Sequence, residues 1–360
     1  MRVELRNKYD DQYSIIAALP VRPIELYDML DRIGADNKQN NVYMNIEDDR
    51  IPKIMREGGF YDDIFKLNLL AQRLEEMSPS CKAGFTAVLR QHEDYNLDDL
   101  ILVTYGIDVY PIYPCSCFAE LGEIVIENDM IPEVEKCPDE LIEYLDKTAI
   151  GRLAAERSGG IFVDGYFCEV ADYQHPDMEI SIRKPSRNEF RLLVGSDGRT
   201  AQWLTLPCTE DISRKNIYRI DSPLPNIKIV DDISKLNEAA DKLSSFDNAE
   251  LIKLKAVMES QCLRGAEGAL TAIDEMHDHE LDSSVRICAD YGRNYLRKVL
   301  PDGHDMSIFD SEYLNTVGEN ILESKYGTIT SYGALSGIGQ ELYSILTVQE
   351  DEIEMEMLFS

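Results

Sequence analysis

The strongest constraint on the fold of this 360-residue chain is an internal repeat at an offset of 169 residues. Apolar residues at helical spacing form a stripe in each copy, a pattern typical of an amphipathic helix. The stripe consists of Leu67, Leu70, Ala71, Leu74 and Met77 in the first copy and of Leu236, Ala239, Ala240, Leu243 and Phe246 in the second. Asn68 and Asn237 coincide as well. We expect both stripes to be buried, because an exposed Leu and Met face promotes aggregation.

Helix-start signals and glycines follow the stripes in the same order in both copies. Ser78-Pro79 in the first copy and Asp247 in the second are residue types that begin helices. Further on the offset drifts from 169, and three glycine-containing segments correspond: Leu121-Gly122 with Tyr291-Gly292, Ile150-Gly151 with Val317-Gly318, and Gly160-Ile161-Phe162 with Gly327-Thr328-Ile329. Two unrelated helical hairpins could share a stripe but not the whole series, so the pattern favours a tandem duplication.

Strand-like segments open each copy and helices follow, an order that predicts an α+β fold rather than βαβ crossovers. The predicted strands are 14–19 and 41–46 in the first copy and 178–182, 190–194 and 201–206 in the second. Helices of the first copy are predicted at 63–77, at 79–92, from 97 onward, at 138–145 and at 147–157. We therefore expect an elongated chain of two similar units, 1–175 and 176–340, each a small β-rich part followed by helices. An acidic tail follows at 341–360.

The composition fits a folded protein of the cytoplasm. Hydrophobic residues make up 44% of the chain, which is enough for a sizeable core. No segment approaches the ~18 apolar residues of a membrane span, and the charged stretch from Met1 to Asp11 is unlike a secretory signal. The 8 cysteines are scattered, as expected of reduced thiols in a cytosol.

Motifs of catalysis are missing from the sequence. The glycines of 333–339 have the wrong spacing for a dinucleotide fingerprint and lack the Lys-Ser/Thr of a phosphate-binding loop. The pair His277 and His279 and the pair Cys115 and Cys117 are weak metal candidates, since neither has a second pair at a suitable spacing. We expect no catalytic residue, no cofactor and no metal.

Acidity is the feature that calls for a functional explanation. The chain has 67 acids against 36 bases, a formal net charge of −31, which repels phosphate and argues against direct nucleic-acid binding. Residues 91–146 hold fifteen acids and one base, Lys136. Our candidate acidic surface consists of Asp94, Asp98, Asp99, Glu120, Glu123, Glu127, Asp129, Glu133, Glu135, Asp139, Glu140, Glu143 and Asp146. In the second copy we expect four bases to interrupt the negative surface, namely Arg286, Arg293, Arg297 and Lys298.

Several motifs of the first copy resemble the ArdA antirestriction proteins of plasmids and conjugative transposons. The likeness covers about residues 14–170. It rests on Leu67-Asn-Leu-Leu-Ala-Gln-Arg-Leu74 with Phe85 and Leu89, Asn96-Leu-Asp-Asp-Leu100, Ala119-Glu-Leu-Gly122 with Glu127, Ile150-Gly151-Arg152 and Gly159-Gly-Ile-Phe-Val-Asp-Gly165. The second copy matches less well, through Leu236–Leu243, Tyr291–Leu296 and Val317-Gly318. The chain is about twice the family's common length.

This resemblance implies an elongated, acidic DNA mimic, dimeric in the family, that occupies the DNA groove of a type I restriction–modification enzyme. Its partner would be a DNA-binding protein of a host defence system, with no membrane and no direct contact to nucleic acid. An inhibitor of another defence system, such as a CRISPR effector, is a related alternative. An acidic adaptor or assembly protein of a mobile genetic element is an alternative of a different class.

Overall fold

The computed structural model describes residues 1–35, 41–51, 56, 59–91, 95–196, 200–209, 216–229, 231–301 and 303–338. Helices and small antiparallel sheets give an α+β fold, as the order of strands and helices predicts. The chain divides into two compact units. The first unit consists of 1–23 and 37–184, and the second of 24–36 and 185–360. The predicted tail at 341–360 lies outside the described residues.

The first unit opens with a four-stranded antiparallel sheet in the order β2-β1-β3-β4. Its strands are β1 (Arg2–Asn7), β2 (Asp10–Ala18), β3 (Val42–Glu47) and β4 (Phe60–Tyr61). Alternating residues of the central strand, Val3 and Leu5, are fully buried. One face of this sheet is therefore a core face, as period-two alternation requires.

Three consecutive helices follow, at the positions that the sequence predicts. They are α2 (Ile64–Glu76), α3 (Pro79–Gln91) and α4 (Leu97–Gly106). The predicted stripe of the first copy is buried at Leu67, Leu70, Ala71 and Leu74, and Met77 is half-buried. Asp63 caps α2 by accepting a hydrogen bond from the Phe65 amide at 2.8 Å.

A second module completes the first unit. Its elements are β5 (Ile112–Tyr113), α5 (Phe118–Glu127), α6 (Pro132–Glu135), α7 (Asp139–Ile142), α8 (Lys147–Ser158), β6 (Ile161–Val163) and β7 (Tyr166–Cys168). The three strands form an antiparallel sheet in the order β5-β7-β6. Only residues 139–142 of the helix predicted at 138–145 are helical, because the chain turns before Asp146 caps α8.

The second unit contains one helix from the start of the chain, α1 (Pro23–Arg32), in addition to the elements after residue 185. Its first sheet, in the order β10-β8-β9, consists of β8 (Phe190–Gly195), β9 (Gln202–Leu206) and β10 (Asn216–Asp221). Three helices follow: α9 (Ile233–Leu243), α10 (Asn248–Ser260) and α11 (Gly265–Glu275). The closing module is β11 (His279–Asp282), α12 (Cys288–Val299), α13 (Ser311–Ser324), β12 (Thr328–Thr330) and β13 (Gly333–Gly337).

The strand predicted at 178–182 is wrong, because this segment is irregular and pairs with no described strand. The predicted strands at 190–194 and 201–206 are confirmed as β8 and β9. The predicted stripe of the second copy is buried at Leu236, Ala239, Ala240 and Leu243, and Phe246 is half-buried.

The two units share one order of elements. In each, the earliest strand of the first sheet lies between two other strands, three helices follow, and the last strand of the closing sheet lies between the other two. The first unit has in addition the edge strand β4 and the short helices α6 and α7. Asn68 accepts a hydrogen bond from the Val21 amide at 2.8 Å, and Asn237 accepts one from the Cys208 amide at 2.7 Å. Val21 and Cys208 each follow a Leu-Pro dipeptide. The duplication remains a prediction, and this correspondence supports it.

The glycines aligned by the repeat lie where paired helices touch through their backbones. A Cβ built on Gly122 would lie 1.7 Å from the Lys147 carbonyl oxygen, and one on Gly151 would lie 1.9 Å from that of Phe118. The equivalent pair in the second unit meets in the same way. A Cβ on Gly292 would lie 2.1 Å from the Leu314 carbonyl oxygen, and one on Gly318 would lie 1.9 Å from that of Cys288. Only glycine permits these approaches, so α5 packs on α8, and α12 on α13, without intervening side chains.

Helix α1 is bound within the second unit by buried ion pairs. The Lys255 side chain on α10 is 1% exposed, and its Nζ lies 2.8 Å from Asp31 Oδ2 and 3.1 Å from Asp28 Oδ1. The Tyr332 hydroxyl donates to Asp28 Oδ1 at 2.8 Å, and Arg187 also pairs with Asp31. A buried ammonium is tolerated here because two carboxylates of α1 neutralise it.

Electrostatics within this cluster favour its charged form. Burial opposes ionisation of Asp28, but the charges of Lys255 and Arg32 and the hydrogen bond from Tyr332 outweigh it and hold the pKa below its usual 3.8. Burial, together with the Asp28 charge, raises the pKa of the Tyr332 phenol. At neutral pH the Asp28 carboxylate is therefore ionised and accepts the hydrogen bond that the neutral Tyr332 phenol donates.

Replacing Gly122 by Ala should lower the free energy of unfolding by about 2–3 kcal/mol, because the added methyl forces α5 away from α8. Urea denaturation followed by circular dichroism measures the change. Thr148→Ala, at an exposed position of α8, is the matched control and should be neutral. A Gly122→Ala protein as stable as the parent would contradict the backbone contact.

Replacing Lys255 by Met should lower the free energy of unfolding by about 3 kcal/mol at pH 7, since two buried carboxylates lose a cationic partner. The folded-state pKa of Asp28 is depressed, so its ionised form stabilises the fold above the unfolded pKa, and this stabilisation is lost as the pH falls through the folded pKa. The difference in free energy of unfolding between the variant and the parent should therefore shrink below about pH 4. Urea denaturation at pH 7 and pH 3 tests this, with the half-buried Lys253→Met as control. An equal deficit at both pH values would argue against ionic pairing.

Candidate acidic surface of the first unit

The acidic segment is anchored by the apolar faces of α5, α6 and α8. Leu121 and Val125 of α5, Val134 of α6 and Ala154 of α8 are buried in one cluster with Phe167 of β7. Pro132 occupies the first position of α6, where a missing N–H has no helical partner. These contacts direct the acidic side chains of the same helices outward.

Ten of the thirteen candidate acids are exposed, as expected because burying an unpaired carboxylate costs free energy. They are Glu120, Glu123, Glu127, Asp129, Glu133, Glu135, Asp139, Glu140, Glu143 and Asp146. Asp98 and Asp99 are half-buried near the start of α4. Asp94 lies outside the described residues.

Three of the exposed acids have partners that hold the surface in place. Lys147 Nζ of α8 donates to Glu123 of α5 at 2.7 Å, and Arg157 donates to Glu133 at 2.6 Å. The hydrogen bond from Arg157 holds the pKa of Glu133 below its usual value. Glu120 accepts from the amide and hydroxyl of Ser116, and these bonds lower its pKa. The lowered pKa values keep the Glu120 and Glu133 carboxylates ionised at neutral pH.

Other acids of the set serve helix ends or neighbouring bases. Asp146 caps α8 by accepting from the Thr148 amide at 2.9 Å, and Asp99 forms a capping box with Asn96. Lys66 Nζ lies 2.6 Å from Asp98. These three residues therefore have structural reasons to be acidic, and they contribute less to a free negative surface.

Six acids remain without a hydrogen bond or ion pair to any residue in the described ranges. We call them the unpaired acids: Glu127, Asp129, Glu135, Asp139, Glu140 and Glu143. They follow one another from the end of α5 to just beyond α7, and Lys136 is the single base of that stretch. Glu135, Asp139 and Glu140 lie in the first turns of α6 and α7, where a negative charge also favours the helix dipole. The accumulation of like charge as a whole is opposed by self-repulsion.

Large apolar side chains are exposed among the unpaired acids, and sequence reasoning missed them: Met130 is 37% exposed, and two residues at and after α7 are more exposed still. Leu141 is 52% exposed and Tyr144 is 75% exposed. Their three-residue spacing at α7 was the available signal, but an apolar pair at this spacing usually predicts a buried helix face. Large exposed apolar groups within a charged surface are typical of sites that contact another protein.

One of the bases expected to interrupt the second unit's negative surface does not reach that surface. Arg286 is 8% exposed, and its guanidinium donates to the Ser331 carbonyl at 3.0 Å. Arg293 is half-buried and pairs with Asp290. Arg297 and Lys298 are exposed, as predicted. The expectation is therefore wrong for Arg286, whose charge is needed inside the fold.

The weak metal candidates are not brought together. Within the described residues, no group of three or more His, Cys, Asp or Glu side chains is arranged to hold an ion. All 8 cysteines are free thiols, with Cys115 buried and Cys117 exposed. No helix in the described part of the chain has the length and apolar character needed to cross a bilayer.

Comparison with protein-family models and with curated proteins gives no match for this chain. The resemblance of its motifs to antirestriction proteins therefore remains an expectation.

Changing all six unpaired acids to Asn or Gln should leave the melting temperature unchanged or raise it at low salt, because relief of repulsion among the carboxylates offsets the small helix-dipole contribution of those in the first turns of α6 and α7. Differential scanning calorimetry at low and physiological ionic strength measures this. Glu133→Gln, which loses the Arg157 pair, is a comparison variant and should not gain stability. A marked loss of stability in the six-fold variant would assign these acids a structural role.

Proposed function

We propose that this protein is a DNA mimic that inhibits a host restriction–modification enzyme, most readily one of type I, by occupying its DNA-binding groove. The observation that carries the proposal is the run of exposed, unpaired acids around α6 and α7, with Lys136 as its single base. A protein with this function needs no catalytic group, cofactor or metal.

The physical basis is competition for a basic groove. Duplex DNA carries one charge per roughly 1.7 Å of its axis and binds proteins largely through phosphate contacts. Carboxylates fixed on short helices present a comparable negative potential to the same lysines and arginines. Complementary charge also accelerates association, which suits an inhibitor that must reach the enzyme before DNA does.

The local structure supports a pre-organised surface. The ion pairs Glu123–Lys147 and Glu133–Arg157 join the segment to α8, and the Gly122–Gly151 contact fixes α5 on that helix. Carboxylates held in place lose less conformational freedom on binding than carboxylates of a disordered acidic tail.

An acidic adaptor of a mobile element is the second candidate, and the exposed Leu141 and Tyr144 favour it. Apolar anchors surrounded by acids could bind a partner whose recognition depends less on charge. Leu141→Ala combined with Tyr144→Ala separates the two candidates. Loss of partner binding in this variant, with retention in the six-fold variant, would favour the adaptor.

The six-fold amide variant should lose inhibition of DNA cleavage by a purified type I restriction–modification enzyme, whereas single changes should have small effects, because each exposed charge contributes little alone. Wild-type inhibition should weaken steeply with salt, since screening acts on an extended charged surface.

A variant of equal net charge is the control. It carries amides at six exposed acids of the second unit: Asp241, Glu275, Asp278, Glu312, Glu319 and Glu323. This control should still inhibit. If both six-fold variants lose inhibition equally, inhibition depends on net charge and not on the acids around α6 and α7. If both variants still inhibit fully, the proposal is overturned.

A further inference from the structure

The second unit has a cavity of about 310 Å³ between α12 and the sheet of β11 and β13. Its lining is polar along the helix and mixed along the strands. The lining residues are Glu280, Leu281, Asp282, Tyr291, Asn294, Tyr295, Lys298, Lys325, Ala334 and Ser336.

Four of these residues lie on one face of α12. Tyr291, Asn294, Tyr295 and Lys298 are spaced at three or four residues, so their side chains leave the helix in the same direction. Tyr291 packs in an apolar cluster with Val285, and Tyr295 packs in another with Leu314. Both side chains therefore pack against apolar residues and also line the cavity.

The polar groups of the cavity have few partners within the protein. In the part of the chain that the structure describes, the side chains of Asn294, Lys298 and Lys325 form no hydrogen bond or ion pair, and neither tyrosine hydroxyl is bonded. Ser336 is 6% exposed and its hydroxyl also lacks a described partner. Converging polar groups left unused in a concave site are typical of ligand binding.

Unpaired lysines are unexpected in a chain of net charge −31, where acids are abundant. At the aligned positions of the first unit, Ile124, Val125 and Asn128 stand in place of Asn294, Tyr295 and Lys298. There Val125 is buried and Ile124 packs against the same core cluster. The second unit therefore carries Asn294 and Tyr295 where the first has apolar core residues, and a lysine where the first has the exposed Asn128.

We propose that this cavity binds a small phosphate ester that also carries a planar ring, of the class of the nucleoside monophosphates. Lys298 and Lys325 supply the positive charge for the phosphate, and the Tyr291 and Tyr295 rings supply apolar surface for the ring. Asp282 and Glu280 accept hydrogen bonds from sugar hydroxyl or amino groups. The site is separate from the acidic surface, and the inference does not depend on the proposed inhibition.

Isothermal titration calorimetry of the full chain tests the site. The probes are the four ribonucleoside 5′-monophosphates, with adenosine and inorganic phosphate as partial ligands. At least one monophosphate should bind at micromolar to millimolar concentration, and each partial ligand should bind at least about tenfold more weakly. If no monophosphate binds, or if inorganic phosphate binds as well as the best one, the proposal fails.

Variants locate the binding. Lys298→Gln and Lys325→Gln should each weaken binding of the monophosphate with the highest affinity at least about tenfold, corresponding to roughly 1.4 kcal/mol. Arg297→Gln removes the neighbouring exposed charge, which does not line the cavity, and should change affinity less than about twofold. Thermal melting confirms that each variant is folded. Binding that survives both lysine changes, or that Arg297→Gln weakens equally, would overturn the assignment.

Discussion

Contact between helix backbones at glycine is the constraint on which the acidic surface depends. Where Gly122 meets the Lys147 carbonyl and Gly151 meets that of Phe118, the backbones of α5 and α8 touch with no side chain between them. Their outer faces can then be polar almost throughout. The charged segment between them is joined to this pair by a few buried apolar residues, so like charges accumulate without loss of the fold.

The units use one order of elements for two different surfaces. In the first, α6 and α7 lie between the glycine-paired helices in the chain, and the six unpaired acids lie on or beside them, from the end of α5 to just beyond α7. In the second, a shorter connection joins α12 to α13, and polar groups line a cavity beside α12. If the repeat arose by duplication, the contacts that hold the helices were kept while the residues facing outward diverged.

Local patterns predicted much of this fold. Helix stripes, cap residues and glycine pairs depend on neighbours three or four positions away, and the helices α2, α3, α4 and α8 were predicted closely. The segment 178–182 alternates apolar and polar residues, but no described strand pairs with it. Alternation shows that a segment could form a strand but does not show whether a neighbouring strand is there to pair with it. Exposure of the acids was predictable from the cost of burying charge. Which acids are paired was not, because partners such as Glu133 and Arg157 are distant in sequence.

The Lys255 cluster has a consequence for how the gene can be divided. The carboxylates that neutralise this lysine are encoded within the first 36 residues, while the lysine and its tyrosine belong to the later half of the chain. A fragment that begins at the apparent midpoint would retain the buried ammonium and lack its counterions. The second unit therefore requires the helix near the start of the chain to neutralise Lys255, and a division of the gene at residue 185 would separate the two.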